Sequence, residues 1–124
     1  MSKVCLNSRD ELLLIDLGKM AFLKANGNYT DLSYISGQTQ TLSLSLSKME
    51  EVIRVAGDKE GPGQFTRLGR SLIINRKYLV GISVLRQCVM LSDCEGHTHV
   101  VQVPKMILKK FKDMIAGGRR EFID

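Results

Sequence analysis

The chain is short of most things that would assign it to a membrane, a secreted scaffold or a catalytic site. Its longest apolar runs, such as "LLLI" (residues 12–15) and "SLII" (residues 71–74), are four residues or fewer. A bilayer span needs roughly 20. The first eleven residues, "MSKVCLNSRDE", contain no apolar stretch followed by a small-residue cleavage site, so no secretory signal is read and a cytoplasmic protein is expected. Cysteines number three, Cys5, Cys88 and Cys94. An odd count without a signal favours reduced thiols over a disulfide framework. Internal repeats, low-complexity tracts and interdomain linkers are also missing, and 124 residues suit one core, so a single domain over residues 1–124 is expected.

Chemically versatile residues are just as sparse. His97 and His99 are the only histidines, two apart near Cys94 and Cys88. The spacing Cys-x5-Cys-x2-His-x-His is not one of the usual structural zinc patterns, and the solvent face of a hairpin is an ordinary place for histidine. "GDKEGPG" (residues 57–63) lacks the Lys-Ser/Thr ending of a phosphate-binding loop and leads into a strand-like run. Neither feature builds the pairing of nucleophile and base, the paired carboxylates or the metal that catalysis requires. No enzyme, cofactor or metal is expected, and no small-molecule substrate.

What the chain does have is ordinary folding material, 44% hydrophobic and 25% charged. In the first half "LLLIDL", "MAFLKA", "YTDLSYI" and "QTLSLSL" are short runs bounded by turn residues such as "NGN" (residues 26–28), and they read as strands. Leu42, Leu44 and Leu46 alternate with Thr41, Ser43 and Ser45, which predicts a half-buried strand. Ser47-Lys48-Met49-Glu50 has capping-box spacing, predicting a helix from Ser47. Its apolar stripe is Met49, Val52, Ile53 and Ala56, with Gly57 as a left-handed cap.

A loop at "AGDKEGPGQ" (residues 56–64) separates this from "FTRL", "SLII", "YLVGISVL", "CVMLSD" and "HTHVVQV", again strand-like, with "DCEG" (residues 93–96) as a hairpin turn. Pro104 suits the first position of a second helix. There Ile107, Leu108, Phe111, Met114 and Ile115 form a stripe opposite Lys105, Lys109 and Lys112, and Gly117-Gly118 should end it. A Lys-rich helix can lie on an anionic membrane, but this stripe is the natural means of closing the core.

Charge is unevenly spread. The net value is +5, yet residues 1–60 hold 7 basic and 8 acidic side chains, while residues 61–124 hold 11 basic and 5 acidic, a net +6. Such asymmetry fits a surface that meets a polyanion, and charge alone does not separate this from solubility charge. The densest part is "QFTRLGRSLIINRKYL" (residues 64–79), with Arg67, Arg70, Arg76 and Lys77 and no acid. Gly69 between the two arginines allows a tight turn that would hold both guanidinium groups on a protruding loop, able to bind phosphate or read guanine bidentately.

In order and spacing, "MAFLKANGNYTDLSY", a capped helix, "FTRLGRSLIINRKYLVGI" and "VMLSDCEGHTHVVQVPKMILKKF" resemble the LytTR-type DNA-binding domain of bacterial transcription regulators, from about residue 12 to about residue 115. The "NY" of Asn28-Tyr29 and "RSLIIN" (residues 70–75), similar to the family's Arg-Ser-x-Ile-Val-Asn signature, carry most of the likeness. The resemblance implies a mostly β (α+β by content), elongated domain of antiparallel strands with one short middle helix and one C-terminal helix. Its loops would enter the DNA major groove. It further implies a transcription regulator, of the kind used as a response regulator output domain, whose partner is double-stranded DNA, with a second copy on repeated half-sites and no membrane.

Three contact regions carry over onto this chain: the loop at Asn28, Tyr29 and Thr30; the segment from Arg67 through Arg70 to Ser71; and the turn from Gln102 to Lys105. Asn75 would serve strand-end hydrogen bonding. Val103-Pro104-Lys105 departs from the family's polar and basic helix start, leaving Lys105 as the contact there. These domains often follow a receiver domain and Met1 leaves no room for one, so regulation is expected from elsewhere. A rival reading keeps the fold as a protein-interaction module without DNA affinity.

Overall fold

A computed structural model describes residues 3–56 and 64–117, with 119 and 122. The chain runs β1 (Lys3–Asn7), β2 (Leu12–Asp16), β3 (Met20–Asn26), β4 (Tyr29–Tyr34), β5 (Thr39–Leu42), α1 (Leu46–Ala56), β6 (Phe65–Arg67), β7 (Leu72–Asn75), β8 (Leu79–Ser83), β9 (Cys88–Ser92), β10 (Thr98–Gln102) and α2 (Lys105–Ala116). Short 3₁₀ turns at Leu17–Lys19 and Arg76–Tyr78 join β2 to β3 and β7 to β8. Every strand pairing is antiparallel. The fold class is therefore the one expected, mostly antiparallel β with a middle and a C-terminal helix.

A five-stranded sheet in the order β5-β4-β3-β7-β6 divides the interior in two. On one side Leu23, Leu32, Leu42 and Ile73 meet Ile15 and Leu17 and the α1 residues Leu46, Met49 and Ile53. On the other, Leu72 and Ile74 meet Val89, Leu91 and Val101 of the β10-β9-β8 sheet, with Leu108 and Phe111 of α2. Successive side chains of a strand point to opposite faces, so β7 serves both cores at once. All four of its residues are buried. This is why "LIIN" is nearly continuous in apolar residues where a surface strand would alternate. At its end the fully buried Asn75 donates from Nδ2 to the Met20 carbonyl at 2.9 Å, while its Oδ1 accepts from the Lys77 amide at 3.0 Å. The strand-end role expected of Asn75 is present.

Several local expectations shift. β1 pairs with β2 from Lys3↔Asp16 to Asn7↔Leu12, a hairpin that the N-terminal residues did not announce. β5 stops at Leu42, and Leu46 is buried as the first residue of α1, so the alternating leucines span a strand, a bend and a helix. The α1 cap is Ser45, whose Oγ accepts from the Lys48 amide at 3.2 Å and whose carbonyl accepts from Met49 at 3.0 Å. Ser47 lies one residue inside the helix with its hydroxyl free for another task. Met49 and Ile53 are buried with Val52 and Ala56 half-buried, as the stripe predicts. The expected cap Gly57 and most of the "AGDKEGPGQ" loop lie outside the described residues.

In α2, Pro104 is the cap and Lys105 the first helical residue, while Gly117 ends the helix with its amide on the Asp113 carbonyl at 2.9 Å. Leu108 and Phe111 are buried, but Met114 at the stripe's margin is 53% exposed. Among the described residues no helix is long and apolar enough to cross a membrane.

Candidate nucleic-acid interface

β7 first separates the four cations of the basic stretch. Arg67 and Arg70 precede the strand and Arg76 and Lys77 follow it, at the far end of four extended residues, roughly 13 Å. Lys77 Nζ donates to the Gly18 carbonyl at 3.3 Å and sits over the Tyr78 ring, tied to the opposite end of the sheet. Only the Arg67 and Arg70 end meets the other contact segments.

That end is a turn over residues 67–71, closed by the Leu68 amide donating to the Leu72 carbonyl at 2.8 Å. Gly69 takes φ +78, a region costly to residues with a Cβ, and a Cβ there would stand 2.6 Å from Ile107 Cδ1 of α2. Both its conformation and its contact with α2 call for glycine.

The two arginines then part company. Arg67 folds inward: Nε donates to the Gly69 carbonyl at 3.1 Å, Nη2 to the Arg70 carbonyl at 2.9 Å, and Nη1 to Ser47 Oγ at 3.2 Å and Glu50 Oε1 at 2.9 Å. The expected projection of Arg67 from the loop is not what the structure has, because four acceptors hold its planar fork against the turn and α1. A half-exposed pair of this kind adds at most about 1 kcal/mol. Arg70, by contrast, is exposed, and its side chain makes no hydrogen bond or ion pair with the described residues.

Two of the three contact segments converge beside Arg70. Lys24, Arg70, Ser71, Gln102 and Pro104 line one groove together with apolar residues such as Leu68 and Ile107. No acid lines it. Lys105 follows directly as the exposed first residue of α2, and Pro104 offers no side-chain acceptor to the helix's first amides. Uncapped N–H groups at a helix start, with the positive end of its dipole, favour an anion. Lys24 was overlooked in the sequence because it sits inside "MAFLKA". The signal that could have found it is a lone cation ending an apolar strand just ahead of "NGN".

The third segment adjoins the same edge. Ala25 of β3 donates its amide to the Ser71 carbonyl at 2.8 Å, and β3 then turns at Gly27, φ +61, into β4. Asn28 and Tyr29 are exposed on this turn, Tyr29 by 54%. Thr30 is not. Its side chain is fully buried and its hydroxyl donates to the Leu44 carbonyl at 2.7 Å, which ties the turn to the β5–α1 bend. The nearby Asp31 carboxylate is engaged by Asn26 Nδ2 at 3.2 Å and Thr41 Oγ1 at 3.0 Å.

The residues weighed as metal ligands do not gather. Cys88 is buried, Cys94 exposed, and His99 Nε2 lies 3.1 Å from the Ile35 carbonyl with its ring edge-on to Phe22. His97 Nδ1 instead meets Asp93 Oδ2 at 2.5 Å. Burial raises the Asp93 carboxyl, but the Glu95 amide, the His97 side chain and the His97 amide more than offset this and hold it at about 2.

No protein-family model matches this chain, and no curated protein sequence does either. Among solved structures, a LytTr DNA-binding domain from Bacillus cereus superposes with a TM-score of 0.60 at 21% identity, covering 94% of this chain and 98% of that one. The fold is that of a LytTR-type domain.

Proposed function

We propose that this protein is a cytoplasmic, sequence-specific transcription regulator that binds double-stranded DNA through loops placed in the major groove. The observation that carries the proposal is the convergence of Lys24, Arg70, Ser71, Gln102 and the start of α2 on one acid-free groove. Its neighbour in fold, the Bacillus cereus chain, is named as a DNA-binding domain. Arg70 has the reach and planar fork to read a guanine edge, with Asn28 and Tyr29 on the adjoining turn contacting bases or sugar. Lys24, Lys105 and the first amides of α2 hold phosphates. Thr30, buried, sets the turn's position without touching DNA.

Selection of bound sequences from a random duplex pool tests this. A recurring motif is expected, with log affinity for it falling linearly in log salt and each neutralised phosphate adding about 0.9 to the slope. Sites for two copies would emerge as a repeat. No enrichment at low salt would overturn sequence-specific binding and favour a protein-interaction role for the fold.

A further inference from the structure

A cation on a DNA-facing loop is expected to hold a phosphate, and Arg67 does something else. Its four hydrogen bonds go to two carbonyls of its own turn, Gly69 and Arg70, and to Ser47 and Glu50 of α1. Each end of this arrangement is separately held. α1 is anchored in one core through Leu46, Met49 and Ile53, and Gly69 rests on Ile107 of α2, which packs on the other. The turn bearing Arg70 is therefore clamped between the two helices. We propose that Arg67 is a positioning residue, fixing the backbone of Arg70 through a latch to Glu50 and Ser47, so that discrimination among DNA sequences depends on an acid that touches no DNA. This rests on the DNA-binding reading above.

The chemistry makes the idea testable, because simple charge and the latch predict opposite signs. Glu50→Gln removes a negative charge from a protein that binds a polyanion, and by charge alone it should tighten binding to every duplex. Under the latch it loses the charge-assisted partner of the guanidinium, freeing the turn. Arg67→Lys keeps the charge but cannot reproduce the planar fork across four acceptors.

Two measurements on the intact chain decide it. The first is amide hydrogen exchange, in the free protein, of Leu68, whose amide closes the turn on the Leu72 carbonyl, and of Ala25, bonded to the Ser71 carbonyl; both should quicken in Glu50→Gln and Arg67→Lys while the α1 and β7 amides keep their protection. The second is affinity for the selected site against single-base variants of it, across a salt series. The ratio is expected to fall about tenfold in both variants, the scale of one lost bidentate contact, with the salt slope unchanged. A uniform loss on all duplexes in Arg67→Ala, with the slope reduced by about 0.9, would make Arg67 a phosphate contact and overturn the proposal. Wild-type exchange and wild-type discrimination in Glu50→Gln would overturn it equally. If the unaltered protein selects no DNA sequence, the DNA reading fails, and the exchange measurement alone decides whether the latch exists.

Discussion

Two turns of this molecule are built from the same parts with opposite polarity. The 67–71 turn precedes β7 and the 93–97 turn precedes β10; each contains a glycine at positive φ, Gly69 and Gly96, and each is organised by one charged side chain. In the first, the Arg67 guanidinium covers the carbonyls of Gly69 and Arg70. In the second, the Asp93 carboxylate covers the amides of Glu95 and His97. Beside the first turn's covered carbonyls stands a further exposed cation, Arg70. Beside the second turn's covered amides stands an exposed acid, Glu95. On the DNA-binding reading proposed above, the first is the turn suited to a polyanion, so the difference teaches that the sign of the organising side chain bears on what a loop presents.

The strands behind the turns differ as much, and the largest effect should appear there. Ile74 of β7 is fully buried against one core while its neighbour Ile73 fills the other. Ile74→Asp would place an unpaired carboxylate where no water reaches, and loss of the folded state is expected. Val100→Asp on β10, a position 61% exposed, should leave melting within about 0.5 kcal/mol of wild type. Thermal melts of the pair break the comparison if both variants fold alike.

Next come the glycines. Alanine at either Gly69 or Gly96 forces a Cβ into positive φ at a cost of about 1–2 kcal/mol. Gly69→Ala must also displace Ile107 Cδ1, whereas nothing lies within 4 Å of the Cβ built at Gly96. A cost of about 2–3 kcal/mol is expected for Gly69→Ala and of about 1–2 for Gly96→Ala, read from denaturant midpoints. Equal costs would show that α2 yields freely to the turn.

The binding contrast is of similar or smaller size. Arg70→Ala should cost about 1–3 kcal/mol on the selected site and relax preference at one base position, while Lys105→Ala should weaken all duplexes alike. Titrations at one fixed salt concentration separate the two. Lys77→Ala, at the opposite end of β7 from Arg70, serves as the surface control.

The smallest effect expected is the acid response of the second turn. Asp93 is held at about 2, below the usual carboxylate range, by the Glu95 and His97 amides and the His97 side chain. A depressed folded pKa means its stabilising contribution is complete above the unfolded carboxylate value and is lost as pH falls toward 2. Melts at about pH 5 and about pH 2.5 should show a larger acid-induced drop for wild type than for Asp93→Asn. Matching drops would mean that the carboxylate does not organise the turn.

How much of this could be read beforehand varies with the range of the interaction. The α1 and α2 stripes and the 93–96 hairpin turn were legible because a period of 3.6, or a cluster of turn residues, is a property of neighbours along the chain. The β1 strand was not, since the five residues of "KVCLN" alternate too briefly to stand out until "LLLID" is seen beside them. The cap at Ser45 was masked by a better-matching Ser-x-x-Glu two residues later, at Ser47 and Glu50, residues whose side chains are taken by Arg67.

By itself the amino-acid order determined most of the strands and both helices, the glycine in the arginine turn and the excess of positive charge in the second half, all consequences of local sterics and composition. Only the tertiary structure decided which of the cations is available. Arg67 meets Glu50 and Ser47 from 17 and 20 residues upstream, Arg76 and Lys77 are carried to the far end of β7, and Lys24 is brought from β3 to stand beside Arg70. Chain order carries charge, but neutralisation and convergence depend on distance in space, and two helices packed on opposite faces of one sheet set those distances.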